Sequence, residues 1–324
     1  MKKRKILTVF LLIALVASSL AGCGKKDEVF TIGVNQYVTH AALDASYQGF
    51  VDALADAGYV DGEKIKIDLQ NAQGDQSNAN TIATKLVNDN NDLILSIATP
   101  SAQASANATK DIPILVTAVT DPQGSGLVAS NDAPGGNVSG TSDLTPIKDQ
   151  IELLMKLVPS VKTVAVLYCS SESNSKIQAE IAMEAAAEFG LTAQEATVSN
   201  SNEIQQVVQS LVGKVDAIYA PTDNIIAAGM PTVSLVANDN GIPVICGEEG
   251  MVDAGGLATY GIDYYKLGRL TGEQAVQIIE GKATTDKMPI GYLSNDQYTL
   301  KINEEVAGKL GITIPEDLKA QAGQ

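Results

Sequence analysis

Hydroxyl, amide and carboxyl side chains recur in this sequence directly after runs of apolar, β-favouring residues. The stretches "SIATPSAQ" at 96–103 and "TAVTDP" at 117–122 both follow such runs. In open parallel sheets, ligands bind outside the carboxyl ends of the strands. Neither stretch combines a nucleophile with its base. We therefore interpret these residues as parts of a binding site rather than a catalytic one.

The candidate ligand-binding residues form two groups along the chain. The first group offers mainly amides and hydroxyls and consists of Gln36, Tyr37, His40, Thr99, Ser101, Thr120 and Asp121. The second group is richer in carboxylates and consists of Ser173, Asn174, Asp223, Asn224, Glu248, Glu249 and Asp263. Many of these residue types are also ordinary helix caps and turn formers, so each position has a purely structural alternative.

The two groups have opposite electrostatic preferences. Ser101 and the free N–H groups of a helix that starts near it would form a small anion site, favoured by the positive end of the helix dipole. Asp223, Glu248 or Glu249 could receive an ammonium group. An anion site facing a cation site suits a zwitterion, so we expect an α-amino acid held between two closing lobes.

The sequence gives little support for an enzyme, a cofactor or a metal site. His40 is the single histidine, and two separated cysteines cannot complete a zinc site around it. The stretch "GSGLVA" at 124–129 matches a dinucleotide-binding pattern, but Pro134-Gly135-Gly136 would end any helix that follows. A serine triad would have to recruit His40. We expect His40 to line the cleft or pack in the hinge instead.

Strand-like and helix-like segments alternate along the chain and would position these residues. Tyr47, Phe50, Val51 and Leu54 share one face of a helix, and near-continuous apolar strands such as "DLILSIA" flank segments of this kind. Such alternation predicts a parallel sheet with both faces covered. After "NVSGTSDLTP" the pattern starts again. The fold class is therefore α/β, with two doubly wound parallel-sheet lobes in tandem.

The tail of the chain is too short to form a third domain, so we expect it to be shared between the lobes. The expected division is residues 30–142 plus 262–294 for lobe 1 and residues 143–261 plus 295–324 for lobe 2. The chain would then cross between the lobes three times, near 141–146, 260–263 and 290–300. Three crossings form a hinge.

Cys169 and Cys246 would end the first and fourth strands of lobe 2. In a doubly wound sheet a third strand lies between them, which separates their backbones by about 9–10 Å. A disulfide spans at most about 7 Å between Cα atoms. We therefore predict two buried free thiols.

The N-terminus has the pattern of an export signal, with the charged start MKKRK, an apolar run and then Leu20-Ala21-Gly22-Cys23. This ending resembles the lipobox of bacterial lipoproteins, which implies lipidation of Cys23; an ordinary secretory signal is the alternative. We expect residues 1–22 to be a signal peptide and residues 23–29 to be a tether. Removing residues 1–22 takes away four basic residues and changes the formal charge from −16 to −20. Nucleic acid and anionic lipid are therefore excluded as partners, and the lipid alone would hold the protein to the membrane.

Eight segments of the chain, in this order, also resemble a known family. They are "QYVTHAALDASYQGFVDAL", "QNAQGDQSNANTIATKLV", "DLILSIATPSAQA", "IPILVTAVTDP", "GNVSGTSD", "SSESNS", "PTDN" and "GEEGMVDAGGLATYGIDYYKLG". Together they resemble the tryptophan- and tyrosine-binding class of ABC-transporter substrate-binding lipoproteins, which have a type I periplasmic-binding fold.

The resemblance implies a monomeric solute receptor on the outer face of the cytoplasmic membrane that delivers its ligand to an ABC permease. It further implies that lobe 1 hydroxyls and amides hold the ligand's carboxylate, and that a lobe 2 acid holds its ammonium. Because the chain contains no Trp and four Phe, a stacking partner for an aromatic ligand would be a tyrosine such as Tyr37, or an aliphatic wall.

Two alternatives remain open from the sequence. A receptor of this fold could sense a ligand for a membrane signalling protein, or it could bind a different small solute such as a sugar or a purine. A transcription repressor with this fold is excluded by the export signal, the acidic surface and the lack of a DNA-binding segment.

Overall fold

The computed structural model describes residues 29–294 and 298–322. The predicted signal peptide, Cys23 and residues 24–28 of the tether lie outside the described residues, as do 295–297 of the third crossing. None of the described helices has the length and apolar character needed to span a membrane.

The first lobe is built on a five-stranded parallel sheet in the order β2-β1-β3-β4-β5. Its strands are β1 (Phe30–Gln36), β2 (Ile65–Asn71), β3 (Leu93–Ile97), β4 (Ile114–Val119) and β5 (Val138–Ser142). Its helices are α1 (Ala41–Asp56), α2 (Gln76–Asn88) and α3 (Thr99–Ala108). Strands β3, β4 and β5 are buried throughout, which fits a sheet covered on both faces.

The second lobe is built on a six-stranded sheet in the order β11-β10-β9-β8-β6-β7. Its strands are β6 (Thr163–Cys169), β7 (Thr192–Val198), β8 (Ala217–Ala220), β9 (Val244–Cys246), β10 (Ala258–Gly261) and β11 (Thr299–Ile302). All pair in parallel except β11, which is antiparallel to β10. The helices are α4 (Ile147–Leu157), α5 (Ser173–Glu188), the 3₁₀ turn Ser201–Glu203, α6 (Ile204–Leu211), α7 (Asn224–Ala228), α8 (Met230–Asp239) and α9 (Glu249–Asp253).

The C-terminal part of the chain serves both sheets. Helix α10 (Tyr264–Ile279) packs against α1 of the first lobe, whereas β11, α11 (Glu304–Lys309) and α12 (Glu316–Ala322) complete the second. The chain therefore passes from the first sheet to the second after β5, returns after β10 and reaches the second sheet again at β11. The predicted fold class, two doubly wound α/β lobes with a three-crossing hinge, is confirmed.

Three local details shape the chain around the sheets. Helices α7 and α8 are separated at Gly229, because Pro231 lies in the first turn of α8, where it cannot continue a preceding helix. The segment "MPIGYL" forms a single bridge, between Gly291 and Thr141. Helix α3, expected to start near Ser101, begins at Thr99.

Cys169 and Cys246 are buried free thiols. They end β6 and β9, and β8 lies between these strands. The strand order thus keeps the two sulfur atoms apart, as the sequence predicted.

The contact between α1 and α10 requires glycine at its closest point. A Cβ at Gly268 would lie 1.9 Å from the backbone oxygen of Ser46, and one at Gly49 would lie 2.0 Å from the backbone oxygen of Tyr265. Backbone atoms cannot move aside as a flexible side chain would. The two helices can approach this closely only because these positions carry no side chain.

We expect Gly268→Ala to lower the free energy of unfolding by about 1–3 kcal/mol or more, because the added methyl group forces α1 and α10 apart. Gly308→Ala is the matched control. Gly308 lies in α11 with nothing near its missing Cβ, so this change should raise stability by about 0.5–1 kcal/mol. Urea unfolding measures both. Equal stabilities of the two variants would contradict the packing described.

Candidate functional site

A small cavity of about 20 Å³ lies between the two lobes, beside the hinge. It receives residues from the ends of β4 and β5, from the starts of α1, α7 and α10, and from the loops after β8 and β9. Its lining consists of His40, Leu43, Ala118, Thr120, Asp143, Asn174, Thr222, Asp223, Asn224, Ala227, Glu248 and Tyr264. The volume is far below the ~300–1,000 Å³ usual for small-molecule sites, so a ligand of amino-acid size enters only when the lobes move apart.

The cavity combines an apolar surface with several buried polar groups. Leu43, Ala118, Ala227 and the ring of Tyr264 supply the apolar part. Leu43 lies one turn after His40 in α1, and Ala227 lies one turn after Asn224 in α7, so each helix offers one polar and one apolar residue. This composition is typical of a site for an amphipathic small molecule.

Asp143 is the most unusual polar group of the cavity. Its Oδ2 accepts a hydrogen bond of 2.6 Å from the hydroxyl of Tyr264. Its Oδ1 is buried and accepts no hydrogen bond of good geometry from the described residues. Burial raises the pKa of Asp143, and the neighbouring hydroxyls of Tyr264 and Thr120 partly offset this rise. A buried carboxylate with a free oxygen calls for a hydrogen-bonding cation.

His40 meets the second lobe through Asn224. Its Nε2 lies 3.5 Å from Asn224 Oδ1, and its Nδ1 is buried without a partner among the described residues. Asn224 Nδ2 in turn donates to Glu172 Oε2 at 2.5 Å. Burial lowers the pKa of His40 to about 4, against which Asn224 and Asp44 act only weakly. The imidazole is therefore neutral near pH 7.

Gln178 joins the lobes at another side of the cavity. Its Nε2 donates to Thr120 Oγ1 of the first lobe at 3.3 Å and to the Thr222 carbonyl of the second at 3.0 Å. Its Oε1 accepts from the Thr222 hydroxyl at 2.8 Å. The adjacent Asn174 donates to the Thr222 carbonyl at 3.2 Å, while its Oδ1 is buried without a partner among the described residues.

A third polar contact joins the lobes away from the cavity. Gln103 Nε2 in α3 donates to Ser173 Oγ in α5 at 3.2 Å. With the His40–Asn224 and Gln178–Thr120 contacts, it connects lobe 1 to lobe 2 at three separate places. The two lobes are therefore in a closed arrangement, with the cavity enclosed between them.

Two alanines at the strand ends next to the cavity have positive φ angles. Ala118 has φ 54° and Ala98 has φ 80°, in regions that side-chain-bearing residues rarely occupy. At Ala118 the pairing of β4 with β5 shifts between Val116 and Val119. The irregular backbone places Ala118 and Thr120 on the cavity wall.

Six of the sequence-predicted site residues line the cavity: His40, Thr120, Asn174, Asp223, Asn224 and Glu248. The other eight do not line it, and the reasons differ from residue to residue.

Ser101 is not available to an anion, contrary to the sequence-based expectation. It is completely buried inside lobe 1, and its hydroxyl donates to Asn35 Oδ1 at 3.1 Å. Thr99 is also buried and does not line the cavity, and its hydroxyl has no hydrogen-bond partner among the described residues. Both residues belong to the first turn of α3, which packs against its own sheet. At the helix start where an anion site was expected, both hydroxyls are buried within lobe 1.

Asp223 and Glu248 line the cavity, but their oxygens are engaged elsewhere. Asp223 caps α7 and accepts from the N–H groups of Ile226 at 2.8 Å and Cys169 at 2.5 Å. Glu248 caps α9 and accepts from the N–H groups of Met251 at 2.9 Å and Gly250 at 2.5 Å. These caps are the structural alternative stated for both residues, so neither is the free carboxylate that was expected for an ammonium group.

Glu249 and Asp263 lie on a groove at the outside of the hinge. Glu249 accepts a hydrogen bond from Thr299, and Asp263 caps α10 by accepting from the N–H of Lys266 at 3.1 Å. Glu248 borders both this groove and the cavity, whereas Glu249 and Asp263 border the groove alone. Both were expected to contact a ligand, and neither lines the cavity.

Gln36 and Tyr37 are buried at the end of β1 and bond within their own lobe. Gln36 Nε2 donates to Asp44 Oδ1 at 2.7 Å, and the Tyr37 hydroxyl donates to the Gly74 carbonyl at 3.0 Å. Tyr37, the tyrosine expected to stack on an aromatic ligand, does not line the cavity, whereas Tyr264 does.

Asp121 and Ser173 lie at the junction of the lobes rather than in the cavity. Asp121 lies in the loop after β4, with its carboxylate beside Gly124. Ser173 accepts the hydrogen bond from Gln103 that joins the lobes. Both were expected to contact a ligand. In the structure both lie near the surfaces that meet when the two lobes close.

Sequence reasoning missed Asp143, Tyr264 and Gln178. Asp143 directly follows β5. The rule that ligands bind beyond the carboxyl ends of parallel strands would have identified it, but residues 141–146 were assigned to the hinge instead. Tyr264 and Gln178 lie within helices, where no local pattern distinguishes a cavity residue from a packing residue.

Comparison with known proteins identifies the family. Residues 31–324 match the family model for ABC transporter substrate binding proteins. The chain belongs to this family. It is a solute-binding protein that acts outside the cytoplasm and works with a membrane permease, and its family is not one of enzymes.

Two similar proteins come from other bacteria. The chain is 47% identical over 318 residues to a tyrosine-binding protein of Clostridioides difficile, covering 94% of this chain and 91% of that protein. A crystal structure from Streptococcus pneumoniae, an ABC domain in complex with L-Trp, is 44% identical with a TM-score of 0.87, covering 91% of this chain and 99% of that one.

A second solved structure differs in its degree of opening. The ligand-free, open structure of a substrate-binding protein with adhesive properties from Clostridium difficile is 48% identical, yet its TM-score is 0.67, covering 89% of this chain and 97% of that one. This open protein is more similar in sequence to the present chain than the tryptophan complex is, yet its structure superposes less well. This agrees with the three contacts between lobes, because the closed arrangement here is similar to that of the tryptophan complex.

Buried carboxylates at the site link stability to pH. Desolvation and the nearby charge of Asp223 raise the pKa of Glu172, and desolvation raises that of Glu248 to about 7. The folded protein then holds protons that the unfolded chain releases above its ordinary carboxyl pKa, so stability is greatest at low pH and falls as pH rises through these values.

We therefore expect the free energy of unfolding of the ligand-free protein to fall between about pH 5 and pH 8. The slope should reach at most about 1.4 kcal/mol per pH unit for each extra proton held. Urea unfolding at several pH values measures it, and Glu248→Gln should make the fall shallower. A free energy that rises across this window would contradict the assignment of protonated buried acids.

Proposed function

We propose that this protein captures an aromatic amino acid between its two lobes and delivers it to the permease of an ABC importer. The observation that carries the proposal is the free Oδ1 of Asp143 in an enclosed cavity that also has an apolar surface. The tyrosine-binding relative and the tryptophan complex support the same ligand class.

The ammonium group of the ligand binds Asp143. In a buried site a charge-assisted hydrogen bond is stronger than a neutral one, and an ammonium both satisfies Oδ1 and compensates the negative charge. The Tyr264 hydroxyl holds the other oxygen in place. This assignment replaces Asp223 and Glu248, whose oxygens already accept from backbone N–H groups.

The aromatic side chain lies against Leu43, Ala227 and the ring of Tyr264. Leu43 comes from lobe 1 and Ala227 from lobe 2, so both contacts form only when the lobes close. Burial of an apolar ring contributes about 25 cal/mol per Å². Part of the ligand's binding energy is therefore available to hold the lobes together.

We further propose that Cys23 is lipidated and that the lipid holds a single chain at the outer face of the cytoplasmic membrane. The lipobox-like sequence Leu20-Ala21-Gly22-Cys23 supports this. A soluble receptor beside its permease must stay near the membrane after binding, and a lipidated N-terminus on a short tether provides this without restricting the movement of the lobes.

We expect tyrosine, tryptophan or phenylalanine at 100 times its Kd to stabilise the protein by about 2.7 kcal/mol. Asp143→Asn keeps an acceptor for Tyr264 but removes the charge, so it should weaken binding on the order of a hundredfold. Calorimetric titration measures both. Tryptophan binding can also be followed by fluorescence, because the chain has no Trp of its own.

Glu249→Gln is the control for Asp143→Asn, since it removes one negative charge from the outside of the hinge and should leave affinity unchanged. Full affinity in Asp143→Asn would show that the ammonium binds elsewhere. Stabilisation by a sugar or a purine but by none of the three amino acids would show that the proposed ligand class is wrong.

For the anchor, we expect Cys23→Ser to move the protein from the membrane fraction to the soluble extracellular fraction and to abolish labelling by a fatty-acid analogue. Cys169→Ala, which changes a buried thiol, should keep both the label and the membrane location. Labelling of Cys23→Ser at the level of the unchanged protein would rule out the lipidation site.

A further inference from the structure

We propose that Glu172, which is buried beside Asp223 where lobe 1 meets lobe 2, takes up a proton from the solvent when the lobes close, so that ligand capture weakens as pH rises. The inference rests on the proposed capture of an aromatic amino acid and adds a dependence of that capture on pH. The proton and the amino acid both bind the closed form better than the open form, so the binding of one favours the binding of the other.

Two carboxylates lie together at the start of α7. Glu172 Oε1 accepts from the N–H of Ile225 at 3.2 Å, and Asp223 Oδ1 accepts from the N–H of Ile226 at 2.8 Å. Both acids are 1% exposed. Among the described residues, neither forms an ion pair with a lysine or an arginine. Ionising both buried carboxylates without a cation is unfavourable.

Glu172 is the member of the pair that takes the proton. Asp223 also accepts from the N–H of Cys169, and its two backbone donors lie at 2.5 and 2.8 Å. The two backbone N–H groups nearest Glu172 lie at 3.2 and 3.4 Å. Backbone donors stabilise an ionised carboxylate, so the negative charge stays on Asp223. Burial and the charge of Asp223 then raise the pKa of Glu172.

Lobe 1 covers Glu172 only while the lobes are closed. His40 of lobe 1 contacts Asn224, whose amide is hydrogen-bonded to Glu172. A Cβ at Gly74 of lobe 1 would lie 3.0 Å from Cδ1 of Ile225, whose N–H donates to Glu172. Opening removes this cover and lets water reach the carboxylate. The pKa of Glu172 is therefore nearer its ordinary value in the open form than in the closed form.

The other titratable groups that face Glu172 carry no positive charge near neutral pH. They are Asp223, Cys169 at the end of β6, and Tyr37 and His40 of lobe 1. Burial raises the pKa of Cys169 to about 11, and burial and the charge of Glu172 raise the pKa of Tyr37. Burial lowers the pKa of His40 to about 4 in the closed form. Above its ordinary pKa of about 6.5 the imidazole is neutral in both forms, so it neither gains nor loses a proton on closing.

The proton of Glu172 has an acceptor in the closed form. Glu172 Oε2 and the amide of Asn224 are 2.5 Å apart, which lies within the range of O–H···O hydrogen bonds. With this amide turned over, Glu172 donates to Asn224 Oδ1, and Asn224 Nδ2 faces Nε2 of the neutral His40. Protonation of Glu172 therefore keeps the contact between the lobes.

The direction of the pH dependence follows from these two states. Between the pKa of the open form and the raised pKa of the closed form, Glu172 is ionised when the lobes are open and protonated when they are closed. Falling pH then favours the closed form and the bound ligand, and rising pH favours the open form. The Kd should rise with pH by at most about tenfold per pH unit for one proton.

The test is calorimetric titration of the full chain with tryptophan, tyrosine and phenylalanine near pH 7 and near pH 8, in buffers of different ionisation enthalpy. For the ligand that binds most tightly, we expect an uptake of about one proton near pH 7 and a Kd about threefold to tenfold higher near pH 8. No proton exchange, or a release of protons, would overturn the inference and leave aromatic amino-acid capture intact. Failure of all three ligands to bind would refute the proposed function, and this inference with it.

Glu172→Gln mimics the protonated acid permanently, because its amide can donate to Asn224 and accept from the N–H of Ile225. Its Kd should change less than about twofold over the same pH step, without proton uptake. Glu180→Gln is the matched control, since it neutralises an exposed acid of α5 and should keep the full pH dependence. Loss of the ligand's own ammonium proton affects all these proteins alike. A Glu172→Gln variant with the pH dependence of the unchanged protein would overturn the inference by placing the proton elsewhere.

Discussion

Closure of the lobes buries polar groups that must find partners across the cavity, and this requirement shapes the whole site. Buried polar atoms without hydrogen bonds are costly. Gln178 satisfies Thr120 across the lobes, and Gln103 does the same for Ser173. The free atoms of Asp143, His40 and Asn174 remain. These are the positions where a ligand contributes what neither lobe supplies.

The same requirement divides the acids of the site into two kinds. Glu172, Asp223 and Glu248 accept from N–H groups at the starts of α7 and α9, so they hold the second lobe's loops in shape. Asp143 belongs to the chain crossing between the lobes, where the hydroxyls of Tyr264 and Thr120 and its own backbone N–H stabilise its charge. An acid in this place can respond to a ligand without disturbing a helix cap. The hinge thus carries the group with the strongest need for a cation.

The position of the hinge also explains why closing and binding are coupled. Tyr264 begins α10, which packs on α1 through Gly268, and the same tyrosine holds Asp143. A close helix contact in lobe 1 therefore fixes the orientation of the ligand's proposed ammonium partner. Leu43 in α1 and Ala227 in α7 then meet only when the second lobe closes. The greater similarity to a tryptophan complex than to an open, ligand-free structure agrees with this arrangement.

The sequence by itself determined the two-lobed α/β fold, the shared C-terminal part and the separation of Cys169 from Cys246, because these follow from periodic apolar patterns and from the order of the strands. Six of the residues predicted to bind a ligand line the cavity, since strand ends of parallel sheets converge there. Only the tertiary structure decided which polar atoms are free. Ser101 and Asp143 both follow strands, yet the hydroxyl of Ser101 is taken by Asn35 and an oxygen of Asp143 is left open. The difference arises from hydrogen-bond partners that are distant in sequence, and no local sequence pattern predicts these partners.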